Sequence, residues 1–419
     1  MRRSNNQDSL AVTLAGDEKQ QRRLGHLFVV ADGMGAHAAG ELASQLATDS
    51  IPHAYYKRRD LPPWESIVAA VEEANGRIFT KGQNSVDFHG MGTTCTCLLL
   101  LPEGALAAHV GDSRVYRLRG ATIEQLTFDH SLVWEMAQAG QASEDEVPAY
   151  VPKNVITRSL GPHSTVKVDL EGPFPVRPGD RYLVCSDGLT GPLNAKLIGM
   201  VLASLAPDDA AQTLVDLANL SGGPDNITVI VVEVEDLVRN SRTGNGPGAN
   251  GVANHAALAP TRESLVFGGV AGAAAIAAIV AAVGGWMATA AVSGLAAIAA
   301  AGAWAYRTFG QRDQGAAPRP CAAFGKGPHR RYAAEPTAEN IEMLSDIVRQ
   351  LEDLEDQDQW PIDWREIHED RARALRAIGA GDFRAAVVAY SSAVRRLMQA
   401  VRELRLNERP DSGINLGRD

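Results

Sequence analysis

Asp32 is the residue from which the chemistry of this chain is read. In Leu27-Phe28-Val29-Val30-Ala31-Asp32-Gly33-Met34-Gly35-Ala36-His37 a short apolar run delivers one carboxylate into a cluster of glycines. Gly33 and Gly35 let the backbone come close to a bound group and leave a carbonyl to face it. A carboxylate beside a backbone carbonyl is an all-oxygen donor pair, which suits a hard divalent cation such as Mg2+ or Mn2+. Taken alone, Asp-Gly after an apolar run reads first as a plain turn. Three further acids repeat the arrangement: Asp112 after Ala107 to Gly111, Asp187 after Arg181 to Ser186, and Asp225 just before the apolar run Ile227 to Val232. Each stands next to Gly, Ser or Asn, so one converging oxygen-rich site explains the four better than four independent turns.

The elements that must hold these acids follow from periodicity. Leu27 to Ala31 has the length and branching of a strand buried on both faces, which puts Asp32 at the end of an interior element. An unpaired carboxylate is costly there. Ala39 to Ser50 and Trp64 to Thr80 read as helices, the second with Ile67, Val71, Ala74 and Ile78 at helical spacing. Gly92 to Leu101, Ala105 to Val110 and Val115 to Leu118 are strands joined by turn signals with no helix between them, which indicates antiparallel pairing. Leu132 to Ala139 is a short helix, and the acidic, proline-punctuated stretch around Glu144-Asp145-Glu146 is a loop suited to substrate selection. Asn194 to Leu205 and Pro207 to Leu220 are amphipathic helices, and Ile227 to Val234 is the closing strand.

Read together, these segments resemble one family. Arg3-Ser4-Asn5-Asn6-Gln7-Asp8, Asp32-Gly33-Met34-Gly35-Ala36-His37, Gly92-Thr93-Thr94, Gly111-Asp112-Ser113-Arg114, Leu126-Thr127-Phe128-Asp129-His130-Ser131, Ser186-Asp187-Gly188-Leu189 and Asp225-Asn226-Ile227-Thr228-Val229 stand in the order and rough spacing of the bacterial metal-dependent serine/threonine protein phosphatases of type 2C. The resemblance covers about residues 1 to 235. It implies an α+β fold, an α-β-β-α sandwich of two antiparallel sheets flanked by helices. It also implies hydrolysis of phosphoserine and phosphothreonine by water activated at two Mn2+ or Mg2+ ions, with a third, weaker ion in bacterial members.

Carried over residue by residue, the resemblance makes Asp32 the carboxylate that bridges both metals and gives Gly33 a ligating carbonyl. Asp187 and Asp225 complete the pair, Asp112 helps to hold the third ion, and Asp8 matches an acidic position near the metals. Arg3 matches the arginine that holds the substrate phosphate through its planar fork. His37 matches a histidine that protonates the leaving oxygen. Two departures stand out: Gln7 replaces a glutamate, and Ala36 replaces a glycine. The chain opens almost on Arg3, where the family has a short preceding strand, so either the start lies upstream or this sheet edge is reduced.

Composition bounds the rest. A chain of 419 residues with a formal net charge of -10 lacks the basic footprint of a general nucleic-acid binder. No apolar leader follows Met1, and the four cysteines suggest no disulfide framework, so a reducing, cytosolic setting is the default. The expected organisation is a phosphatase domain over 1–237, a flexible linker over 238–263, a hydrophobic segment over 264–307, a second linker over 308–336 and a helical region over 337–408. Ser264 to Tyr306 holds no Asp, Glu, Lys, Arg or His, and Arg262, Arg307 and Arg312 flank it. That length fits two transmembrane helices as a hairpin with both ends cytoplasmic; a single span, or an alanine-rich soluble helix pair, is the alternative. A phosphatase anchored at the inner or plasma membrane follows from the hairpin. In the helical region, Ala380-Gly381-Asp382-Phe383 leading to Tyr390 and Ala393 resembles one tetratricopeptide helix pair, a candidate protein-docking module.

Three functions are in play. The first is an active phosphatase acting on phosphorylated proteins and opposing a serine/threonine kinase. The second is a catalytically impaired pseudophosphatase serving as a scaffold, which the presence of every matching acid disfavours. The third is a phosphatase dedicated to regulatory proteins, which shares the chemistry of the first.

Overall fold

The computed structural model describes residues 5–36, 38–139, 155–236, 323–358 and 362–407. Two compact units divide the chain. One comprises 1–239 and 322–419; the other, 240–321, lies outside the described residues, and with it the apolar stretch read as a membrane hairpin. No helix among the described residues is long and apolar enough to cross a membrane.

The chain runs β1 (Asp8–Thr13), α1 (Glu18–Leu24), β2 (His26–Met34), α2 (Ala39–Lys57), α3 (Pro63–Gln83), β3 (Gly92–Thr93), β4 (Cys95–Leu101), β5 (Gly104–Val110), β6 (Arg114–Arg119), β7 (Thr122–Gln125) and α4 (Leu132–Gln138). Then follow β8 (Asp169–Phe174), β9 (Arg181–Cys185), the single turn α5 (Asp187–Thr190), α6 (Ala195–Ser204), α7 (Pro207–Leu220) and β10 (Val229–Glu233). After the second unit come β11 (Arg330–Ala333), α8 (Ala338–Asp358), α9 (Trp364–Gly379) and α10 (Phe383–Asn407).

Among the described residues, one sheet is ordered β1-β2-β4-β5-β8 with β3 on β2, and the other β10-β9-β6-β7-β11. The pairings within each sheet are antiparallel; β4 and β5 pair as their helix-free connection predicts, whereas β6 crosses to the second sheet and pairs with β7 and β9. β2 shows why its run is apolar without a break. Leu27, Val29 and Ala31 point to α2 and α3, while Phe28 and Val30 point into the core shared with Val115, Tyr182, Val184 and Ile230 of the facing sheet. α6 and α7 cover the outer face of that second sheet through Leu197, Ile198, Leu214 and Leu217. Cys95, Cys97 and Cys185 are buried free thiols, Cys95 and Cys97 with their sulfurs 3.7 Å apart on one face of β4.

Several boundaries differ from the sequence reading for physical reasons. α2 runs past Pro52 to Lys57 instead of ending at Ser50, because Ile51, Ala54 and Tyr55 are buried and the Tyr55 hydroxyl donates to the Leu24 carbonyl at 2.6 Å. β10 begins at Val229, two residues later than expected, since the Thr228 amide turns aside to the Ser186 hydroxyl at 3.0 Å.

The returning chain is part of the same body. Phe324 bridges Gly172 at the outer edge of β8, and β11 then pairs with β7 at the edge of the other sheet. Between them the Glu171 carboxylate accepts the Lys326 and Gly327 amides at 2.9 and 2.8 Å and lies 2.9 Å from His329 Nε2. Ile341, Leu344, Val387 and Tyr390 from α8 and α10 then share one core with α6 and α7.

Candidate active site

Both sheets contribute to one acidic cluster. β1 and β2 place Asp8 opposite Asp32 in register. Asp187 opens α5 immediately after β9, Asp112 lies in the turn from β5 to β6, and Asp225 lies in the turn from α7 to β10. The like charges of Asp187 and Asp225 act on Asp8, those of Asp8, Asp187 and Asp112 act on Asp32, and that of Asp187 acts on Asp112, so the acids found in separate sequence segments come together.

Hydroxyls and amides fix the arms of this cluster. Asp8 Oδ2 accepts from Ser186 Oγ at 2.8 Å and from Thr228 Oγ1 at 2.7 Å, which ties β1 to the ends of β9 and β10. The Asp32 amide donates to Thr94 Oγ1 at 2.9 Å, and its carbonyl accepts from the Thr94 amide at 2.8 Å and Thr93 Oγ1 at 2.9 Å. Asn226 clips the N-terminal strand by accepting the Gln7 amide at 2.9 Å and donating to the Asn5 carbonyl at 3.1 Å. Gln7, which stands where the family pattern has an acid, donates from Nε2 to the Gly35 carbonyl at 3.3 Å. Two glycines allow the approach: a Cβ on Gly33 would lie 2.1 Å from the Gly40 carbonyl oxygen, and one on Gly188 would lie 1.9 Å from that of Asn226.

The Asp112 turn has its own support. His130 Nδ1 accepts the Gly111 amide at 3.0 Å, and its Nε2 lies 3.1 Å from Asp169 Oδ2, an arrangement in which the Nε2 proton faces the carboxylate. Burial works against ionisation of Asp169, but His130 and Arg158 outweigh it and hold the group below the usual carboxylate range. Arg114 donates to Asp129 at 2.8 Å. His130 also lines a cavity of about 710 Å3 with Arg158, Asp169, Phe324 and His329; none of the clustered acids lines it.

Electrostatics says what the cluster lacks. Burial is the main force pushing the carboxyl groups of Asp8, Asp32, Asp112 and Asp187 up, and repulsion among the acids adds to it. Asp32 is raised well above the ordinary value, and Asp112 is pushed up to about 8 despite the opposing Arg114 charge. Asp32 and Asp187 share a hydrogen bond. Asp8, Asp112 and Asp187 each keep a buried Oδ1 with no hydrogen-bond partner. Buried and half-buried, mutually repelling carboxylates with orphaned oxygens fit a divalent cation, which supplies the missing positive charge. Among the described residues no group of three or more His, Cys, Asp or Glu is arranged as a ready-made metal site. The side-chain donors are carboxylate oxygens, which suit hard ions such as Mg2+ and Mn2+.

Of the residues proposed from sequence, Asp8, Asp32, Gly33, Asp112, Asp187 and Asp225 lie in this region, whereas Arg3 and His37 fall outside the described residues. Sequence reasoning assigned no role to Ser186, Thr228, Thr94, Asn226 or His130. Ser186 and Asn226 stand beside acids already singled out, which was the available signal.

A family profile described as Protein phosphatase 2C matches residues 2–217. The chain belongs to the protein phosphatase 2C family. A Streptococcus pyogenes relative named as a putative protein phosphatase 2C-type is 37% identical over 245 residues, covering 56% of this chain and 95% of the relative. The Listeria monocytogenes serine/threonine phosphatase stp is 35% identical over 221 residues, covering 52% and 87%. Among solved structures, the catalytic domain of the serine threonine protein phosphatase PstP, in complex with two manganese ions, is 34% identical with a TM-score of 0.47, covering 56% of this chain and 94% of that one. The phosphatase 2C match ends before α8, α9 and α10 begin.

Proposed function

We propose that this chain is a metal-dependent protein phosphatase that hydrolyses phosphoserine and phosphothreonine in proteins. The observation that carries the reading is the partly buried acidic cluster with its orphaned Oδ1 atoms, in a chain of the phosphatase 2C family. Asp32, the Gly33 carbonyl, Asp187 and Asp225 would hold two Mn2+ or Mg2+ ions, and Asp112 would serve a third. When bound, such ions acidify a water into a nucleophile and screen the charge on the phosphoryl group. Asp8, oriented by Ser186 and Thr228, directs its remaining oxygen to the same site. Thr93 and Thr94 fix the backbone that presents Asp32. Arg3 holds two phosphate oxygens, and His37 returns a proton to the serine or threonine oxygen as it leaves. Every acid of the pattern is in place, which leaves the scaffold reading without support. A serine/threonine kinase must supply the substrate, since only phosphoryl transfer to a hydroxyl makes it.

The test is phosphate release from a phosphothreonine peptide by the full chain. Turnover in Mn2+, its loss in EDTA, and a fall on the order of 100-fold or more in Asp187→Asn are expected. Turnover untouched by EDTA or by the substitution contradicts the reading.

The second linker ends earlier than the 308–336 expected, because Phe324 and β11 belong to the phosphatase sheets; 264–307 is proposed as a membrane hairpin that anchors a cytoplasmic enzyme at the inner or plasma membrane. Two observations support it. The stretch from Ser264 to Tyr306 holds no Asp, Glu, Lys, Arg or His, and its length allows two passes at about 20 residues each. The residues on either side of it share one sheet and one core, which favours an even number of passes over a single span. In inverted membrane vesicles, protease should reach both the phosphatase domain and the C-terminal helices; protection of the helices alone would mean a single span. A role for the C-terminal helices in docking another protein falls to their outward faces.

A further inference from the structure

We infer that the C-terminal helices position the Asp225 arm of the acidic site, by gripping the last turn of α7. The inference rests on reading the acids as a metal site.

The grip is both apolar and charged. Leu220, the last residue of α7, packs against Trp364 and Ile367 of α9 and Ala393 and Leu397 of α10. Along the same helix, the fully buried Asp216 accepts from Arg402 at 2.7 Å and from Gln212 at 3.0 Å, and Asp209 pairs with Arg395. A buried carboxylate left without its arginine is strongly unfavourable, so this pairing fixes where α10 sits on α7.

From Leu220 the constraint passes on through a stiff turn. The Ser221 amide donates to the Leu217 carbonyl at 2.9 Å, Gly222 to Asn219 at 3.2 Å and Gly223 to Ala218 at 3.1 Å. Gly222 and Gly223 take φ values of 111° and 48°, which lets the chain fold back onto the helix end. The turn therefore moves with α7. Just beyond it stand Asp225, whose charge is felt at Asp8 and Asp187, and Asn226, which clips Asn5 and Gln7 beside Asp8. A shift of the α7 end displaces two arms of the site together. Trp364, Leu397 and Arg402 lie far beyond the 2–217 match, so this support is an addition to the shared catalytic fold.

The experiment measures Mn2+ binding by calorimetry, together with hydrogen exchange of the Gly222 and Gly223 amides, in the full chain. The variants are Trp364→Ala, the milder Trp364→Phe and Leu397→Ala; the control is Leu375→Ala, whose side chain is half-exposed on α9. The three grip variants should weaken Mn2+ binding by about tenfold, as loss of support behind a ligand does, and speed exchange of both amides. The control should do neither. Should Trp364→Ala not fold, the other two decide. Wild-type isotherms and exchange rates in folded grip variants overturn the inference while leaving the metal site intact. A wild-type chain that takes up no Mn2+ overturns both.

Discussion

Asp112 shows at the scale of one residue how the fold has been set against itself. Its carboxyl is pushed up to about 8, first by burial and then by Asp187 and Asp129, while the unfolded chain has the ordinary value of 3.8. Between those two values the metal-free folded state binds the proton that the unfolded state has released. Stability of the metal-free protein should therefore fall as pH rises from about 4 to about 8, and Asp8, Asp32 and Asp187 add in the same direction. Thermal unfolding in EDTA across this range checks it. Asp112→Asn should flatten the slope and raise the midpoint at pH 8, and a midpoint that rises with pH in the wild type would contradict it. Mn2+ should stabilise more at pH 8 than at pH 5, because binding at low pH must first displace protons. The acids themselves were legible in the sequence, since each ends or opens an apolar run beside a small residue. Their partners were not. Ser186 and Thr228 are ordinary strand-end residues until Asp8, some two hundred positions away in the chain, is folded between them.

At the scale of elements, legibility followed periodicity. Leu27 to Ala31 read correctly as a strand buried on both faces, and α3, α6 and α7 carried clear helical spacing. β8 did not read as a strand, because Gly172-Pro173 interrupts it with signals that elsewhere mark turns. β11 is Arg-Arg-Tyr-Ala, with no apolar alternation, and exists through its pairing with the edge of β7. A close glycine contact seats the chain that follows β11: a Cβ on Gly199 of α6 would come within 2.8 Å of Ala334 and 2.9 Å of Ile123. Gly199→Val should cost roughly 1–3 kcal/mol as overpacking, seen as a lower thermal midpoint; an unchanged midpoint would show the interface to be loose. Gly188→Ala should be more damaging to activity, since its new methyl group meets the carbonyl of Asn226 between Asp187 and Asp225.

At the scale of the whole molecule, the chain after the apolar stretch is structural to the phosphatase and closes it. Phe324 and β11 occupy the outer edges of the two sheets, and α8 and α10 cover α6 and α7. Cutting the chain after residue 236 should expose two strand edges and an apolar helical face, both hazards for aggregation. Size-exclusion chromatography should find the shortened protein self-associated, and a stable monomer would contradict this. Nothing local in the sequence announced that covering. It depends on pairs such as Asp216 with Arg402, which only the folded chain brings together.

The claim beneath all of this is that the acidic cluster is a metal centre. The most direct test is an anomalous difference map from crystals of the full chain grown with Mn2+. Two strong peaks are expected beside the Asp32 carboxylate, within bonding distance of the Asp187 and Asp225 carboxylates and the Gly33 carbonyl. Peaks elsewhere, or none at saturating Mn2+, would contradict it.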